Sequence, residues 1–275
     1  MIRESKLYRI FRYVFLTAAC IFVIVPIIPL IFMAFKTGVE YSSTSVLTPP
    51  QNWFNFYNFG YAIRVGKLGS ALFNTAVILV ISLSVQLILT TMVSYVLHRF
   101  EFKGKKIISV LFTMTMFIPV VTTQTVVFQI IYRMGLVNKM PSVILLYSGV
   151  NIVGIYIMFN QLDAIPKELD ESALIDGASY FRIYRSIILP LMKPACTTLL
   201  IINGIGYYND FYIPNLYLRK NVQTFTVALH KFYGNTATPF EIVAAAILLG
   251  IIPIIVVFLF LQKQIFHSLT GAVKA

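Results

Sequence analysis

The sequence predicts an all-α, polytopic membrane protein with six transmembrane helices. Two observations carry that expectation. Of 275 residues, 58% are hydrophobic and only 12% are charged, about half the charged share of a soluble domain. The apolar residues also gather into uncharged runs at 13–35, 71–97, 107–131, 142–160, 195–209 and 242–261. Most of these approach the ~20 residues that carry a helix across ~30 Å of hydrocarbon. No connection is long enough for a separate aqueous domain, so residues 1–275 read as one transmembrane domain.

The first run follows a basic lead, "RESKLYRIFRYVFLTAAC", as a signal peptide would. It continues past Cys20 to Phe35, far beyond a signal core of roughly 7–15 residues, and is read as an uncleaved span. Residues 36–70 contain Pro49, Pro50, Trp53 and several Phe and Tyr, a composition suited to the membrane interface. After the second span comes a short basic turn, "HRFEFKGKK" (98–106), and the third span carries Thr122, Thr123, Gln124 and Gln129. The fourth span, 142–160, ends in an inner segment, 161–194. The fifth run is short and is extended to 213 by Phe211, Tyr212 and Ile213 beyond Asp210. Asn203, Tyr207 and Asp210 lie at i, i+4 and i+7 on one helical face of that span. A last outer loop, 214–240, leads to the sixth span, 242–261.

Lys and Arg set the orientation. With the N-terminus inside, inner segments hold Arg3, Lys6, Arg9, Arg12, Arg99, Lys103, Lys105, Lys106, Lys167, Arg182, Arg185, Lys193, Lys263 and Lys274, which is 14 of 22. Both termini are therefore expected in the cytoplasm. The net charge of +12 is spread along these loops, where topology and anionic membrane lipid explain it. It forms no aromatic-interleaved basic patch, so nucleic acid is not an expected partner.

Reactive constellations are missing. There is no G-x-x-x-x-G-K-[ST] phosphate loop and no G-x-S-x-G elbow. His98, His230 and His267 are scattered without carboxylate or cysteine company at ligand spacing, so no catalytic residue and no metal site is expected. Cys20 and Cys196 read as small apolar residues rather than a disulfide. Asp210 is the one ionisable residue expected within a span, with Glu241 at an edge. Ion-coupled carriers place such groups at membrane depth despite a cost of ~3 kcal/mol or more each. A stand-alone secondary carrier is therefore poorly equipped here, and any uphill work would enter from another molecule.

Five of the ten acidic residues, Asp163, Glu168, Asp170, Glu171 and Asp176, fall in one short inner stretch. Pro166 suits a first helical position, and the acids that follow complement the dipole of the first turns. Leu169, Ala173 and Leu174 give that helix an apolar side. Gly177 is expected to end it in the left-handed conformation. Ser179 is expected to cap a second helix carrying Tyr180, Phe181, Ile183, Tyr184 and Ile187, and Pro190 and Pro194 to bend the chain into the fifth span. A helix lying on lipid is normally rich in Lys and Arg. This one is acidic, which favours a protein partner.

Glu171-Ser172-Ala173, Gly177 six places on, and Ile187-Ile188-Leu189-Pro190 ten places further resemble the E-A-A…G…I-x-L-P loop of bacterial ABC importer permeases. Ser172 stands where that family usually has Ala. "YYNDF" (207–211) is similar to the W-N-E/D-F string of the carbohydrate (maltose-type) branch, with Tyr208 in place of Trp. "NTAVILV" (74–80) and "LTGAVKA" (269–275) are similar to further strings of that branch. The resemblance covers nearly the whole chain and implies a type I importer permease fold in the bacterial cytoplasmic membrane. It implies as partners a second, different permease subunit, two ATP-binding subunits and an extracytoplasmic sugar-binding protein. ATP and Mg would be held by the ATP-binding subunits, and no cofactor by this chain. It makes the 166–190 loop the coupling element, with Glu171 in polar contact with an ATPase subunit, Ala173 and Gly177 permitting close approach, and Ser172 and Asp176 beside them. Asn203, Tyr207, Asp210 and Gln124 could line a sugar pathway or could bond helix to helix. Both alternatives stand on the sequence, as does a cargo other than sugar.

Overall fold

The structure is a computed structural model in which residues 6–218, 222–234 and 238–272 are described. Arg3 and Lys274 of the charge count lie outside those ranges, as does the end of the 269–275 string. In chain order the helices are α1 (Lys6–Ile24), α2 (Ile27–Phe35), α3 (Gly38–Ser43), α4 (Tyr57–Arg64), α5 (Leu68–Arg99), α6 (Lys105–Thr115), α7 (Val120–Arg133), α8 (Met140–Tyr147) and α9 (Ile152–Asp163). They continue as α10 (Glu168–Ile175), α11 (Tyr180–Ile183), a π-turn (Tyr184–Ile188), α12 (Leu189–Leu191), α13 (Lys193–Asn209), α14 (Tyr212–Tyr217), α15 (Phe225–Tyr233) and α16 (Phe240–Ala272). The described residues contain no strand, so the all-α expectation holds.

Three stretches, Tyr8–Phe35, Leu68–Arg99 and Phe240–Phe260, are each long and apolar enough to cross a membrane. Three bent pairs pass the same test if each pair counts as one span: α6 with α7 at 104°, α8 with α9 at 42°, and the helices of Tyr180–Leu191 with α13 at 72°. The bends fall where the backbone loses a donor or gains a side-chain partner. Pro119 lies between α6 and α7 with extended backbone (φ −62, ψ 129), and a proline supplies no N–H to continue the ladder. Between α8 and α9, Asn151 Oδ1 accepts the Gly154 N–H at 2.6 Å, and Thr90 Oγ1 accepts the Asn151 N–H at 3.1 Å. Broken backbone at membrane depth is tolerated when its polar groups are satisfied in this way. The predicted fifth span, 195–213, is also interrupted: α13 ends at Asn209, and Asp210 Oδ1 accepts the Tyr212 N–H at 2.8 Å to start α14.

The chain forms two compact units. In the unit of Met1–Ser70 with Ala228–Pro253, Ala34, Ala244 and Ala245 make a small-residue contact flanked by Leu30, Met33, Phe59 and Leu248. Small side chains of this kind let helices approach without a hydrophobic driving force. Phe35 anchors an aromatic group, its ring 5.9 Å from Trp53, 5.8 Å from Phe56 and 5.1 Å from Phe59.

The unit of Ala71–Val227 with Ile254–Ala275 holds the larger core. Tyr95, Met158, Leu162, Ile165, Ala173, Ile183, Tyr184, Ile188, Met192 and Leu199 pack together in it. Gly154 explains how close α9 comes. A Cβ there would sit 2.8 Å from Leu199 Cδ1 and 3.1 Å from Thr90 Cγ2, so the helix can approach only because that position has no side chain.

Candidate functional site

The acidic stretch forms a bent pair of short helices. Its first helix starts at Glu168, two residues after Pro166 and later than the sequence predicts. The Leu169 and Asp170 N–H groups bond to the Pro166 and Lys167 carbonyls, at 3.4 and 3.0 Å, in a tight three-residue turn that takes the place of a first α-turn. At the other end Gly177 is left-handed, with φ +80. The Ala178 N–H bonds to the Ala173 carbonyl at 2.9 Å and the Gly177 N–H to the Leu174 carbonyl at 3.0 Å. Those two bonds are the Schellman pair, which satisfies the carbonyls at a helix end. Ser179 Oγ accepts the Arg182 N–H at 3.4 Å and caps α11.

Beyond α11 the π-turn closes with the Leu189 N–H on the Tyr184 carbonyl, immediately ahead of Pro190. A widened turn is a common answer to a proline that can neither donate nor fit against the preceding turn. The bend into α13 then falls at Met192.

The two faces of this elbow differ. Ala173, Ile183, Tyr184 and Ile188 turn into the chain's own core. Leu169 and Leu174, expected on the same apolar side as Ala173, are exposed, together with Tyr180, Phe181 and Ile175, the last at 87%. Glu171, Ser172, Asp176 and Gly177 are exposed as well. The free face is therefore acidic and apolar at once. Ala173 is 8% exposed, and its small side chain serves the approach of α10 to the core beneath it.

Asp170 holds the elbow in place, a role the sequence did not reveal. Its Oδ1 accepts the Tyr95 hydroxyl proton at 2.8 Å. Its Oδ2 lies 3.3 Å from Arg99 Nε, an ion-pair contact without hydrogen-bond alignment. Arg99 also donates from Nη2 to the Ile165 carbonyl at 2.7 Å. The Asp170 and Arg99 side chains are 13% and 6% exposed, so the pair is shielded from solvent screening. Tyr95 and Arg99 are one turn apart on α5 and face the same way. Around them Tyr95 packs on Tyr184 at 5.7 Å and on Phe100 at 5.6 Å, and Phe100 meets Tyr180 at 5.0 Å. His98 Nε2 and Asp163 Oδ1 are 2.8 Å apart at the end of α9. In the turn after α5, the Lys105 ammonium bonds to Glu101 at 2.7 Å and holds that carboxyl below the usual carboxylate range.

The polar residues of the fifth span are engaged within the chain. Asn203 Nδ2 donates to Gln86 Oε1 at 2.6 Å, and Gln86 Nε2 donates to the Tyr207 hydroxyl at 2.6 Å and to the Tyr147 carbonyl at 3.1 Å. Asn151 Nδ2 donates to Asn203 Oδ1 at 3.3 Å. The Tyr147 and Tyr207 rings stack at 4.1 Å with planes 2° apart, and the Tyr147 hydroxyl donates to Asp210 Oδ2 at 2.7 Å. Gln124, on α7, is not part of this group: its Oε1 accepts the Tyr217 hydroxyl at 2.9 Å. Burial raises the Tyr217 phenol above the usual tyrosine range. Thr122 and Thr123 bond back to the carbonyls of Pro119 and Val120. Gln86, Tyr147 and Asn151 were not singled out in the sequence, because a lone Gln or Asn in an apolar run has no partner visible there.

Among the described residues no group of three or more His, Cys, Asp or Glu could hold a metal ion. Cys20 and Cys196 are both free.

Long apolar helices, several of them broken, with a capped acidic elbow held to one of them, fit a multi-pass membrane protein. Residues 90–270 match the binding-protein-dependent transport system inner membrane component family, and the chain belongs to that family. It is a membrane permease subunit of an ABC importer, not an enzyme, and such subunits work with other transporter components and a substrate-binding protein. It is similar to the melibiose/raffinose/stachyose import permease protein MelC of Bacillus subtilis, 33% identical over 285 residues and covering 98% of each chain. It is likewise similar to the galactooligosaccharides transport system permease protein GanQ of the same organism, 31% identical with 98% of each chain covered. Among solved structures, a chain of a bacterial ABC transporter involved in the import of the acidic polysaccharide alginate shares the fold. Its TM-score is 0.77 at 22% identity, over 96% of this chain and 99% of that one.

Proposed function

We propose that this chain is one permease half of an importer for a sugar or oligosaccharide, paired with a second, different permease subunit and driven by two ATP-binding subunits. An extracytoplasmic binding protein delivers the cargo, and ATP with Mg is held by the partner subunits. Both termini and the elbow face the cytoplasm, and the whole chain acts as one transmembrane domain. The carbohydrate class rests on the relatives named above, and the orientation rests on the basic inner loops.

The observation that carries the mechanism is the two-faced elbow. Its outer face offers Glu171, Ser172, Asp176 and Gly177, with Ile175 and Phe181, to an ATPase subunit, and Ala173 underlies that face. Its inner face is clamped through Asp170 to Tyr95 and Arg99 on α5. Closure of the ATPase pair moves the elbow, and the clamp passes that movement to a membrane helix. Alternating access is then a two-state equilibrium biased by nucleotide and by the docked binding protein. Asn203, Tyr207, Asp210 and Gln124 have their polar atoms engaged inside the chain, which supports a role in holding the pathway walls in register more than in gripping cargo.

Co-purification from mild detergent and uptake by proteoliposomes test this. An ATPase subunit is expected to travel with the chain, and labelled sugar to enter only with ATP and binding protein present. Accumulation of solute by the purified chain alone would refute the proposal.

A further inference from the structure

The unit of Met1–Ser70 with Ala228–Pro253 contains a cleft of about 520 Å³ whose lining includes Thr37, Asn55, Tyr57, Asn58, Tyr61 and Glu241. Glu241 is 5% exposed. Among the described residues no hydrogen bond or ion pair reaches its carboxylate, although the groups around it are well supplied with partners. Asn58 Nδ2 donates to the Ala34 and Lys36 carbonyls, at 3.0 and 2.8 Å, and Asn55 Nδ2 to the Phe35 carbonyl at 3.0 Å. Lys36 is fully buried in the same unit, and it directs its ammonium to Thr44 Oγ1 at 2.8 Å and the Ser45 carbonyl at 2.7 Å. The other acid nearby, Glu40, accepts the Gln51 N–H at 2.7 Å.

Among the described residues lining this cleft, Glu241 is thus the acidic group with an open acceptor face. It lies in the first turn of α16, at the end of the helix dipole that negative charge complements. Gly38 makes room for it: a Cβ at that position would lie 2.9 Å from Glu241 Oε1.

A buried carboxylate left without a partner is costly, and a cation is the group that satisfies it best. Tyr57 and Tyr61, with ring centroids 6.2 Å apart, add aromatic faces that attract organic cations. A neutral sugar hydroxyl would leave the charge uncompensated. A bare Ca²⁺ would want about six or more oxygen ligands, and one carboxylate is too poor a set. We infer that this cleft is a receptor for a guanidinium or ammonium group, namely an Arg or Lys side chain presented by the docking binding protein. The inference rests on the orientation proposed above, which puts the loops at 36–67 and 238–240 on the outer side, where that protein arrives.

The test is ATPase stimulation of the assembled importer in nanodiscs, measured against binding-protein concentration. E241Q is expected to raise the half-saturating concentration about tenfold or more, as loss of one partner of a desolvated charge pair does, and to weaken its dependence on salt. G38A, which crowds the carboxylate without removing its charge, is expected to raise it less. Methylguanidinium is expected to compete in the wild-type importer and not in E241Q. Half-saturation and salt dependence unchanged in E241Q would mean the cleft holds only water, and the inference falls. Competition by melibiose in place of methylguanidinium would make it a sugar site, and the inference falls equally. If binding protein fails to stimulate even the wild-type importer, the permease function proposed above falls as well, a result distinct from failure of the cleft alone.

Discussion

Replacing Asp170 by Ala removes the acceptor for the Tyr95 hydroxyl and the counter-charge for Arg99 in one step. The lost hydrogen bond involves a charged group, worth about 1.5–3 kcal/mol, and the guanidinium left behind is only 6% exposed. Arg99 keeps its bond to the Ile165 carbonyl, which limits the damage. We therefore expect the clamped state of the elbow to lose about 3 kcal/mol, near the lower end for breaking a shielded pair. At 1.4 kcal/mol per factor of ten, that moves the clamped-to-free ratio by roughly two orders of magnitude. Proteoliposomes should then show ATP hydrolysis continuing while sugar uptake per ATP falls. Hydrogen exchange should rise at the amides of 168–188 and not in the membrane helices. Y95F removes one bond of the set and should lose about 1 kcal/mol, and D170A with Y95F should be less than additive, because the two share a contact. Wild-type uptake per ATP and unchanged exchange in D170A would refute the clamp.

G177A forces a side chain into the left-handed region at φ +80 and should destabilise the elbow by about 1–2 kcal/mol. G177D should in addition uncouple hydrolysis from uptake while leaving membrane insertion intact, as read by uptake and membrane-fraction yield. E171A lies on the free face, so it should reduce the ATPase subunit recovered in co-purification with no change in the thermal midpoint of the isolated chain. G154V should overpack against Leu199 and Thr90 and lower stability by about 1–3 kcal/mol; L199A in the same chain should restore part of it in a detergent melting assay. Q86A should leave Asn203 and Tyr207 short of a partner, at about 1 kcal/mol per lost bond. It should lower the melting temperature while the KM for sugar stays constant; a raised KM with unaltered melting would assign those residues to cargo.

The helical class and the position of the elbow were legible because they rest on local chemistry. Uncharged runs, a glycine at a helix end and a serine three residues before an N–H each carry their own signal. Leu169 and Leu174 show the complementary limit. Helical spacing puts them with Ala173, but which side faces inward depends on the core beneath, and there only Ala173 fits. Asp170 looked like a charge that complements a helix dipole. Its partners lie 75 and 71 positions back on α5, and a single sequence holds no trace of that pairing. The same holds for Gln86, which joins Asn203 to Tyr207 from across the bundle. The breaks at Pro119 and Asn151 were present as residues, yet hydropathy averages over them and reports one run where the backbone makes two helices.

Unlike the bent pairs, α5 runs 32 residues without interruption, roughly 48 Å at 1.5 Å per residue, against about 30 Å of hydrocarbon. A helix of that length projects beyond the lipid, and on the orientation proposed above its final turns, with Tyr95 and Arg99, do so like the handle of an oar with the bilayer as its oarlock. A kinked helix would absorb a sideways pull at the handle by flexing, whereas this one must swing its opposite blade. On the coupling proposed above, a few ångströms of stroke at the elbow would reappear, reversed in direction, at the other end of α5.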